Sequence, residues 1–256
     1  MSEFNRLKDC RHGRMLYNIN DMYVGRSFDL YGEFSEKETE LFAQIVRPGD
    51  VVIEVGANIG AHTVWFARRT APNGGVIAFE PQRLVFQMLC ANVALNSLAN
   101  VMAFQQACGE EKGAIVVPIL DPNARNNFGG LELGKFEQGE RIDVVRIDDL
   151  GLGGCRLLKV DVEGMELSVL KGARELIQRA KPALYVENDR PHLSDALIKF
   201  IDSLGYECFW HWPPLFNPDN HFKHAENVFG NIVSKNMICL PRGVGVAGAQ
   251  PIPVPA

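Results

Sequence analysis

The stretch that decides the fold runs Val51-Val52-Ile53-Glu54-Val55-Gly56-Ala57-Asn58-Ile59-Gly60. Its first five residues are mostly β-branched and follow the turn signal Arg47-Pro48-Gly49-Asp50, which predicts a buried strand. Glycines at positions 56 and 60 come next, and residues 62–70 have the apolar spacing of an amphipathic helix. A strand, a glycine-rich turn and a helix in this order are typical of the ligand-binding end of an α/β domain.

The same alternation of strands and helices continues along most of the chain. Seven strands are predicted for one sheet, at residues 51–55, 76–79, 101–104, 156–160, 183–186, 206–210 and 230–234. Helices are predicted at residues 62–70, 83–96, 165–180 and 194–204. This spacing predicts an α/β fold with a mostly parallel sheet.

We expect a single domain over residues 1–240. It begins with a helical N-terminal cap segment, residues 1–45, and it carries an insertion at residues 109–150. The insertion breaks the alternation with two further strands around a polar loop, which predicts a hairpin-like excursion. Residues 241–256 are rich in glycine and end in PIPVPA, which predicts a disordered tail.

The composition excludes several classes of protein. Of the 256 residues, 46% are hydrophobic and 22% are charged, and the net charge is −5. A mild negative charge argues against a protein that binds nucleic-acid backbones or anionic membranes. The six cysteines form no C-x-x-C pair, and no apolar run approaches the roughly 20 residues of a membrane span. We therefore expect a cytoplasmic protein with no nucleic-acid and no membrane partner, and a homodimer is left open.

The glycine-rich turn favours a nucleoside ligand without a pyrophosphate. A dinucleotide fingerprint needs glycine at positions 56, 58 and 61, but Asn58 and Ala61 stand at two of them. Glu54, at the end of the strand, disfavours a phosphate by like-charge repulsion and suits a cationic amine. Glu80, at the end of the next strand, can accept both hydroxyls of a ribose.

An acid near an amine, an acid near a ribose and no phosphate cradle together predict S-adenosylmethionine as the cofactor. The predicted cofactor residues are Glu54, Gly56, Asn58 and Gly60 for the methionine end, Glu80 for the ribose, and Gln106 for the adenine edge.

Several strings stand out along the chain. They are residues 54–60 (EVGANIG), 79–81 (FEP), 92–96 (NVALN), 159–166 (KVDVEGME) with 169–173 (VLKGA), and Asn227 with Asn231. Together they resemble the FkbM family of S-adenosylmethionine-dependent methyltransferases. The resemblance implies a Rossmann-like, class I methyltransferase fold of seven strands, helices on both faces and an antiparallel last strand. It also implies, in most cases, methylation of oxygen. His62 is a departure, because the resemblance implies no fixed residue type there.

The predicted catalytic residues lie at the ends of two later strands of the sheet, where open α/β sheets bind ligands. They are Asp161, Glu163 and Glu187. Methyl transfer from a sulfonium is an in-line displacement, which needs alignment of the acceptor and removal of its proton. Carboxylates here also suit Mg²⁺, but we do not favour this alternative and we predict no metal ligands.

Two flanking stretches are predicted to form the wall of the acceptor site. Residues 23–33 precede the first core helix and can fold over the cofactor. Residues 209–222 contain more aromatic side chains than a sheet core needs, and such side chains can stack on a sugar or an aromatic acceptor. The predicted substrate residues are Tyr31, Glu33, Trp210, His211 and Trp212.

The sequence thus predicts an S-adenosylmethionine-dependent methyltransferase of FkbM type, acting on a hydroxyl of a small-molecule natural product or a glycan. Two alternatives are a nicotinamide-dependent oxidoreductase on a Rossmann-like fold and a non-catalytic nucleotide-binding module. Asn58 and Ala61 disfavour the first alternative. The three acids at the strand ends disfavour the second.

Overall fold

Residues Val51–Val55 form a central strand of a seven-stranded sheet in the computed structural model, which describes residues 3–132, 136–246 and 249–255. The strands are, in chain order, β1 (Asn5–Cys10), β2 (Gly13–Asn18), β3 (Val51–Val55), β4 (Gly75–Phe79), β5 (Val101–Phe104), β6 (Ala107–Cys108), β7 (Gly113–Val117), β8 (Glu140–Val145), β9 (Leu157–Val160), β10 (Ala183–Glu187), β11 (Tyr206–His211) and β12 (Asn236–Pro241). The α-helices are α1 (Val24–Tyr31), α2 (Glu36–Ile45), α3 (Ala61–Thr70), α4 (Arg83–Leu95), α5 (Glu166–Lys171), α6 (Arg174–Ala180) and α7 (Pro191–Ser203). None of these helices has the length and apolar character needed to cross a membrane.

The strand order of the central sheet is β11-β12-β10-β9-β3-β4-β5. Neighbouring strands from β10 to β5 are parallel, whereas β12 pairs antiparallel with both β10 and β11. The expected mostly parallel sheet with an antiparallel last strand is therefore confirmed. The carboxyl ends of β3, β4, β9 and β10 lie at one edge of the sheet, so the loops that follow them meet there.

The sheet buries both of its faces under helices. On one face, Ile53 of β3 packs in a cluster with Leu197 of α7. On the other face, Val52 packs with Phe42 of α2 and Phe66 of α3. Because successive side chains of a strand point to opposite faces, a run of apolar residues such as β3 fits a sheet covered on both sides.

The last strand lies later in the chain than the sequence predicts. The prediction of a strand at residues 230–234 is wrong; the strand is β12, which starts at Asn236. Residues Met237, Ile238 and Cys239 are buried between two strands, whereas positions 230–232 are exposed. A strand inserted into a sheet needs side chains that can be buried on both faces, and only the later stretch supplies them.

The helix predicted over residues 165–180 is two helices, α5 and α6. Gly172, between them, packs on the backbone of Gly109: a Cβ at this position would lie 1.9 Å from the Gly109 carbonyl oxygen. Asp148 then caps α6 by accepting the backbone N–H of Leu176 at 2.9 Å. Contacts from the 109–150 segment therefore break the helix, and helical periodicity alone does not reveal them.

The N-terminal segment differs from the expected helical cap. An antiparallel hairpin, β1 and β2, precedes helices α1 and α2. Met15 and Tyr17 alternate on the buried face of β2, where they join a cluster with Phe28 of α1. This period-2 alternation is the sequence signal for the hairpin.

Residues 109–150 supply most of a separate three-stranded sheet in the order β6-β8-β7. Strands β7 and β8 pair antiparallel, as a hairpin-like excursion predicts. Between them, Asn126 accepts a hydrogen bond from the backbone N–H of Met22 at 3.0 Å, which ties the connection to the N-terminal segment. The division of the chain into one domain, an insertion and a tail stays a prediction.

The segment predicted to be a disordered tail makes contacts with the sheet. Pro241 is the last residue of β12. Further on, Ile252 donates its backbone N–H to the carbonyl of Cys208 on β11 at 2.7 Å, and its side chain packs against the core. The free edge of β11 offers unpaired backbone groups, which explains why an apolar residue of the tail settles there.

The buried side chain of Asn92 joins the hairpin to the central fold. Its Nδ2 donates to the carbonyl oxygens of Leu16 (3.0 Å) and Ile59 (2.8 Å), and its Oδ1 accepts the N–H of Leu16 (2.6 Å). One amide thus connects β2, α4 and the turn before α3.

Replacing Asn92 by alanine is expected to lower the free energy of unfolding by about 2–4 kcal/mol, because three hydrogen bonds are lost and their backbone partners stay largely buried. Urea unfolding measures this change. The control is Gln87→Ala, an exposed position on the same helix, with an expected change within about 0.5 kcal/mol. Equal effects of the two substitutions would contradict the role given to Asn92.

Candidate active site

A cavity of about 400 Å³ opens at the carboxyl ends of β3, β4, β9 and β10. Each of these four strands contributes an acid to its wall: Glu54, Glu80, Asp161 and Glu187. Concave sites with converging polar groups at this edge are where open α/β sheets bind their ligands. Glu163 also lines the cavity, so the structure brings together all five acids that are predicted from the sequence for cofactor binding and catalysis.

The glycine-rich turn after β3 is fixed by a close backbone approach. Gly56 has a φ of +81°, and a Cβ there would lie 1.8 Å from the carbonyl oxygen of Asp161. Its N–H donates to the carbonyl of Phe79 at 3.0 Å. Asn58 and Gly60 also have positive φ values, 51° and 85°, and Gly60 immediately precedes α3. The backbone of this turn, at Gly56 and Asn58, lines the cavity beside the acids.

Glu80 is buried, and the backbone orients both of its oxygens. Oε2 accepts the N–H of Asn58 and Oε1 accepts the N–H of Gln82, each at 2.9 Å. Burial raises the pKa of Glu80 to about 7, against the opposing effect of these two hydrogen bonds. Each oxygen of a carboxylate can accept a second hydrogen bond, so the group keeps its capacity to bind two hydroxyls of a ligand.

Glu54 already has partners within the protein. Thr63 donates its hydroxyl to Oε2 at 2.6 Å, and Nζ of Lys159 lies 4.0 Å from Oε1. Burial raises the pKa of Glu54 to about 7, while the Lys159 ammonium opposes the rise. The same ammonium lies 3.0 Å from Oδ2 of Asp161. Lys159 thus lies between two of the acids of the cavity wall, Glu54 and Asp161.

Asp161, Glu163 and Glu187 form a compact acid cluster. Each offers a carboxylate oxygen, and these oxygens all lie within 4.8 Å of one another. Arg190 contacts two of them, with 2.5 Å to Glu163 and 3.5 Å to Glu187. Burial, followed by the charges of Asp161 and Glu163, raises the pKa of Glu187 to about 10, and burial raises that of Glu163 to about 7.

This cluster can do two kinds of chemistry. Its ionised members can accept a proton from a bound hydroxyl. Its oxygens also match the donor type that Mg²⁺ prefers. Arg190 places a positive charge against two of these acids, so part of the charge that balances them is present within the chain.

The sequence reasoning missed Lys159, His62 and Arg190, all three of which lie at the site or beside it. The available signal for Lys159 was a single charge inside the apolar strand Leu157–Val160, because a buried charge needs partners. His62 stands directly after the glycine-rich turn and lines the cavity. Arg190 directly follows Asp189, which gives it a local partner, but the sequence does not indicate that it also contacts Glu163.

The polar loop of the 109–150 segment closes over the glycine-rich turn. Gln82 donates its side-chain amide to the carbonyl of Phe128 at 2.6 Å. Gly129 packs on Asn58, since a Cβ at Gly129 would lie 2.7 Å from Nδ2 of Asn58. Asn127, Gly129 and Gly130 line the cavity as a result.

Gln106, predicted to face the adenine edge, lies between β5 and β6. Among the described residues it is not part of the cavity lining. The end of β4, which Glu80 follows, lies at the cavity. The chain after β5 instead continues into β6 of the three-stranded sheet.

Tyr31 and Glu33 are buried but do not line the described cavity, in contrast to their predicted substrate role. The Tyr31 hydroxyl donates to the carbonyl of Glu226 at 2.9 Å. Glu33 accepts the side-chain amide of Asn217 and the N–H of His221, both at 2.8 Å. Their polar groups are satisfied by the 217–228 segment, so these residues hold that segment in place.

Trp210, His211 and Trp212 also lie outside the described lining of the cavity. Trp210 and Trp212 are exposed, 42% and 53%, with ring centroids 5.4 Å apart. His211 shares a hydrogen bond with the hydroxyl of Tyr185 at 2.8 Å. Trp210 is near the end of β11 and Trp212 directly follows that strand, and both side chains are exposed to solvent.

The sheet order, the helices on both faces and the cavity at the carboxyl edge define the Rossmann-like fold of class I methyltransferases. The structure of Methyltransferase FkbM from Methylobacillus flagellatus has the same fold. It aligns with a TM-score of 0.51 at 21% identity, over 78% of this chain and 50% of that chain.

Residues 54–208 match the family model of the Methyltransferase FkbM domain, and the chain belongs to this family. It is 33% identical over 162 residues to the 31-O-demethyl-FK506 methyltransferase FkbM of Streptomyces tacrolimicus, covering 51% of this chain and 62% of that protein. It is 30% identical over 159 residues to the hexuronic acid methyltransferase AglP of Haloferax volcanii, covering 60% of this chain and 62% of that protein. The chain thus spans less than two thirds of the length of these relatives.

Replacing Glu187 by glutamine is expected to stabilise the protein more as the pH rises. The folded state holds the carboxyl protonated up to a pKa of about 10, whereas the unfolded chain releases the proton near its ordinary value of 4.5. The Glu187 carboxyl therefore does not destabilise the folded state below pH 4.5, and its destabilising effect grows as the pH rises toward 10. We expect the Tm of Glu187→Gln to exceed that of the wild type by about 10 °C at pH 8 and by much less at pH 5.

Thermal unfolding at the two pH values tests this expectation. The matched control is Glu137→Gln, at an exposed position, which should leave the Tm unchanged at both. A Tm difference for Glu187→Gln that does not depend on pH would show that the carboxyl is not held protonated.

Proposed function

We propose that this protein transfers the methyl group of S-adenosylmethionine to a hydroxyl of a small-molecule natural product or a glycan. The observation that carries the proposal is Glu80, which lines the cavity with its two oxygens oriented by the backbone at Asn58 and Gln82. A carboxylate held in this way is suited to the two hydroxyls of a ribose. Membership of the FkbM methyltransferase family supports a methyl group as the group transferred.

The charge of the cavity wall fits this cofactor. S-adenosylmethionine carries positive charge on its sulfur and on its amine. Glu54, Glu80 and Asp161 surround the glycine-rich turn and supply negative charge at that place. Gly56 lets the turn after β3 pack directly on the carbonyl of Asp161, which places the backbone of the turn beside these acids.

The same residues disfavour the two alternative functions. A nicotinamide dinucleotide brings a pyrophosphate, which three nearby carboxylates would repel. Asn58 and Ala61 also replace two glycines of the dinucleotide fingerprint. A non-catalytic nucleotide-binding module needs an acid that binds the ribose, but it does not need further acids such as Asp161 and Glu163.

S-adenosylmethionine supplies an activated methyl group on a positively charged sulfur. The protein has to hold the acceptor oxygen in line with that group and remove its proton. Glu187 is protonated at neutral pH, since burial and neighbouring acids raise its pKa to about 10, and it is therefore a poor proton acceptor there. We assign proton removal to Asp161 or Glu163, which Lys159 and Arg190 respectively hold in place.

Magnesium stays outside the proposal. Asp161, Glu163 and Glu187 would be its ligands, and their oxygen donors fit the ion. However, Arg190 already contacts two of these acids, and a divalent ion would have to displace it or tolerate its charge.

The wall on the acceptor side is more apolar. Tyr23, Phe34, Leu215 and Ile232 supply apolar surface to the cavity, and we assign this part of the wall to the acceptor. An apolar wall beside acids fits an acceptor with a hydroxyl on a largely apolar or ring-shaped body. The names of the two relatives support oxygen of a natural product or a sugar acid as the acceptor, without identifying it for this chain. A cytoplasmic location, a homodimer and the absence of nucleic-acid and membrane partners stay predictions from the sequence.

Replacing Glu80 by glutamine is expected to weaken binding of S-adenosylhomocysteine by about 10- to 100-fold, because a charged acceptor of the ribose hydroxyls is lost. Isothermal titration calorimetry measures the change, and Glu137→Gln serves as the control that keeps wild-type affinity. If the wild-type protein shows no binding at millimolar ligand, the cofactor assignment fails. An unchanged Kd for Glu80→Gln removes Glu80 from the ribose site.

Methyl transfer is expected to need a hydroxyl on the acceptor. We propose incubation with S-adenosylmethionine carrying a tritiated methyl group and a panel of hydroxylated macrolides and hexuronic-acid glycosides, each paired with its deoxy analogue. Label should pass to the hydroxylated member of a pair and not to the deoxy member, and it should persist after EDTA treatment. Label found on nitrogen contradicts O-methylation, and loss of transfer with EDTA that Mg²⁺ restores contradicts the metal-free proposal.

A further inference from the structure

His62 has a polar atom with no partner at the wall of the cavity. The residue is 4% exposed and lines the cavity, and its Nε2 has no hydrogen-bond partner among the described residues. The rings of Phe34, Phe42 and Phe66 surround the imidazole, with centroids 5.4 to 6.2 Å away. A buried polar atom without a partner costs free energy, which a ligand in the cavity can recover by binding to it.

The neighbours of the ring determine what Nε2 can bind. A hydrogen bond to the Ser35 backbone favours a proton on the other ring nitrogen, so Nε2 carries the lone pair in the neutral ring. Burial, and then the charges of Lys159 and His12, lowers the pKa of His62 well below its ordinary value. The ring is therefore neutral at neutral pH, and Nε2 needs a hydrogen-bond donor.

Within the part of the chain that the structure describes, no group donates a hydrogen bond to this nitrogen. The closest charged partner is Glu38 of α2, whose Oε2 lies 3.7 Å from Nε2, beyond hydrogen-bond distance. Glu38 is engaged elsewhere, because its Oε1 accepts the side-chain amide of Asn236 at 3.0 Å. Lys159 donates to Asp161 instead. The donor must come from what the cavity binds.

The cofactor of the proposed function offers three kinds of donor. The ribose hydroxyls are assigned to Glu80, and the adenine amino group lies beyond the ribose. The remaining donor is the α-ammonium of the methionine moiety, at the opposite end of the molecule. Glu54 was the expected partner of this ammonium; its Oε2 accepts the Thr63 hydroxyl, and Nζ of Lys159 lies 4.0 Å from its Oε1. An ammonium has three N–H donors, so it can bind Glu54 and a second acceptor such as His62.

We propose that Nε2 of His62 accepts a hydrogen bond from the α-ammonium of bound S-adenosylmethionine. The residue lies in the first turn of α3, two positions after Gly60. The glycine-rich turn, which is proposed to hold the methionine end of the ligand, directly precedes this helix. This proposal rests on the proposed function and assigns a residue to one end of its cofactor. It makes His62 a binding residue and gives it no part in proton removal.

The test uses two variants and three ligands. His62→Phe keeps a ring in the aromatic pocket and removes the nitrogen, whereas His62→Gln places an amide oxygen near the position of Nε2. The ligands are S-adenosylhomocysteine, its deaminated α-keto analogue, and 5′-methylthioadenosine, which lacks the amino-acid end. The control is His192→Phe, at an exposed position of α7.

Calorimetry on the full chain is expected to show about 10- to 100-fold weaker binding of S-adenosylhomocysteine by His62→Phe, with at least partial recovery in His62→Gln. The keto analogue and 5′-methylthioadenosine should bind the wild type and His62→Phe equally. His192→Phe should bind all three ligands as the wild type does.

Three results would overturn the proposal. Unchanged affinity of His62→Phe for S-adenosylhomocysteine removes the contact. An equal loss for 5′-methylthioadenosine shows that His62 only shapes the pocket. An equal loss for the keto analogue assigns the contact to the carboxylate instead of the ammonium. Failure of the wild type to bind any of the three ligands rejects the proposed function itself, so the two failures are distinguishable.

Discussion

The close contact between two backbone turns at Gly56 sets the geometry of the site. The carbonyl oxygen of Asp161 occupies the space of a Cβ at position 56, and the N–H of Asp161 donates to the carbonyl of Val55 at 3.0 Å. The turn after β3 and the turn after β9 are thus locked together by the fold alone. The glycine-rich turn and the turn that carries Asp161 are therefore placed relative to each other before any ligand binds.

Charge balance is the second constraint on this site. Burial raises the pKa of Glu38, Glu54 and Glu80 each to about 7, and the Lys159 ammonium opposes the rise for the first two. Such acids are divided between neutral and charged forms at neutral pH. A cationic ligand favours the charged form, so its binding and the loss of protons from these acids are coupled. Some of the acids that contribute to the net negative charge of the chain therefore lie in this pocket and not on the surface.

The sequence predicts the parts of the molecule that depend on local pattern and on sheet topology. The strand Val51–Val55 follows from its apolar run, and Glu80 and Asp161 converge because strand ends meet at one edge of a parallel sheet. The predictions fail where contacts with a segment distant in sequence determine the local structure or the direction of a side chain. The 165–180 helix breaks because another backbone presses on it, and Tyr31 turns to the 217–228 segment instead of the cavity. Side-chain direction in such loops depends on packing partners that no local spacing reveals.

The segments that the strand and helix alternation does not explain build the outer part of the cavity together. Asn126 and the N-terminal segment exchange backbone hydrogen bonds, from Asn126 to Asn20 at 3.1 Å and from Met22 to Asn126 at 3.0 Å. Gln82 ties the same loop to the turn that carries Glu80. The acids proposed to bind the cofactor lie on sheet strands or directly after them, whereas the apolar residues of the cavity wall come mostly from these irregular segments. Because loops on a rigid scaffold can change without disturbing it, acceptor choice is expected to follow the irregular segments and cofactor binding to follow the sheet.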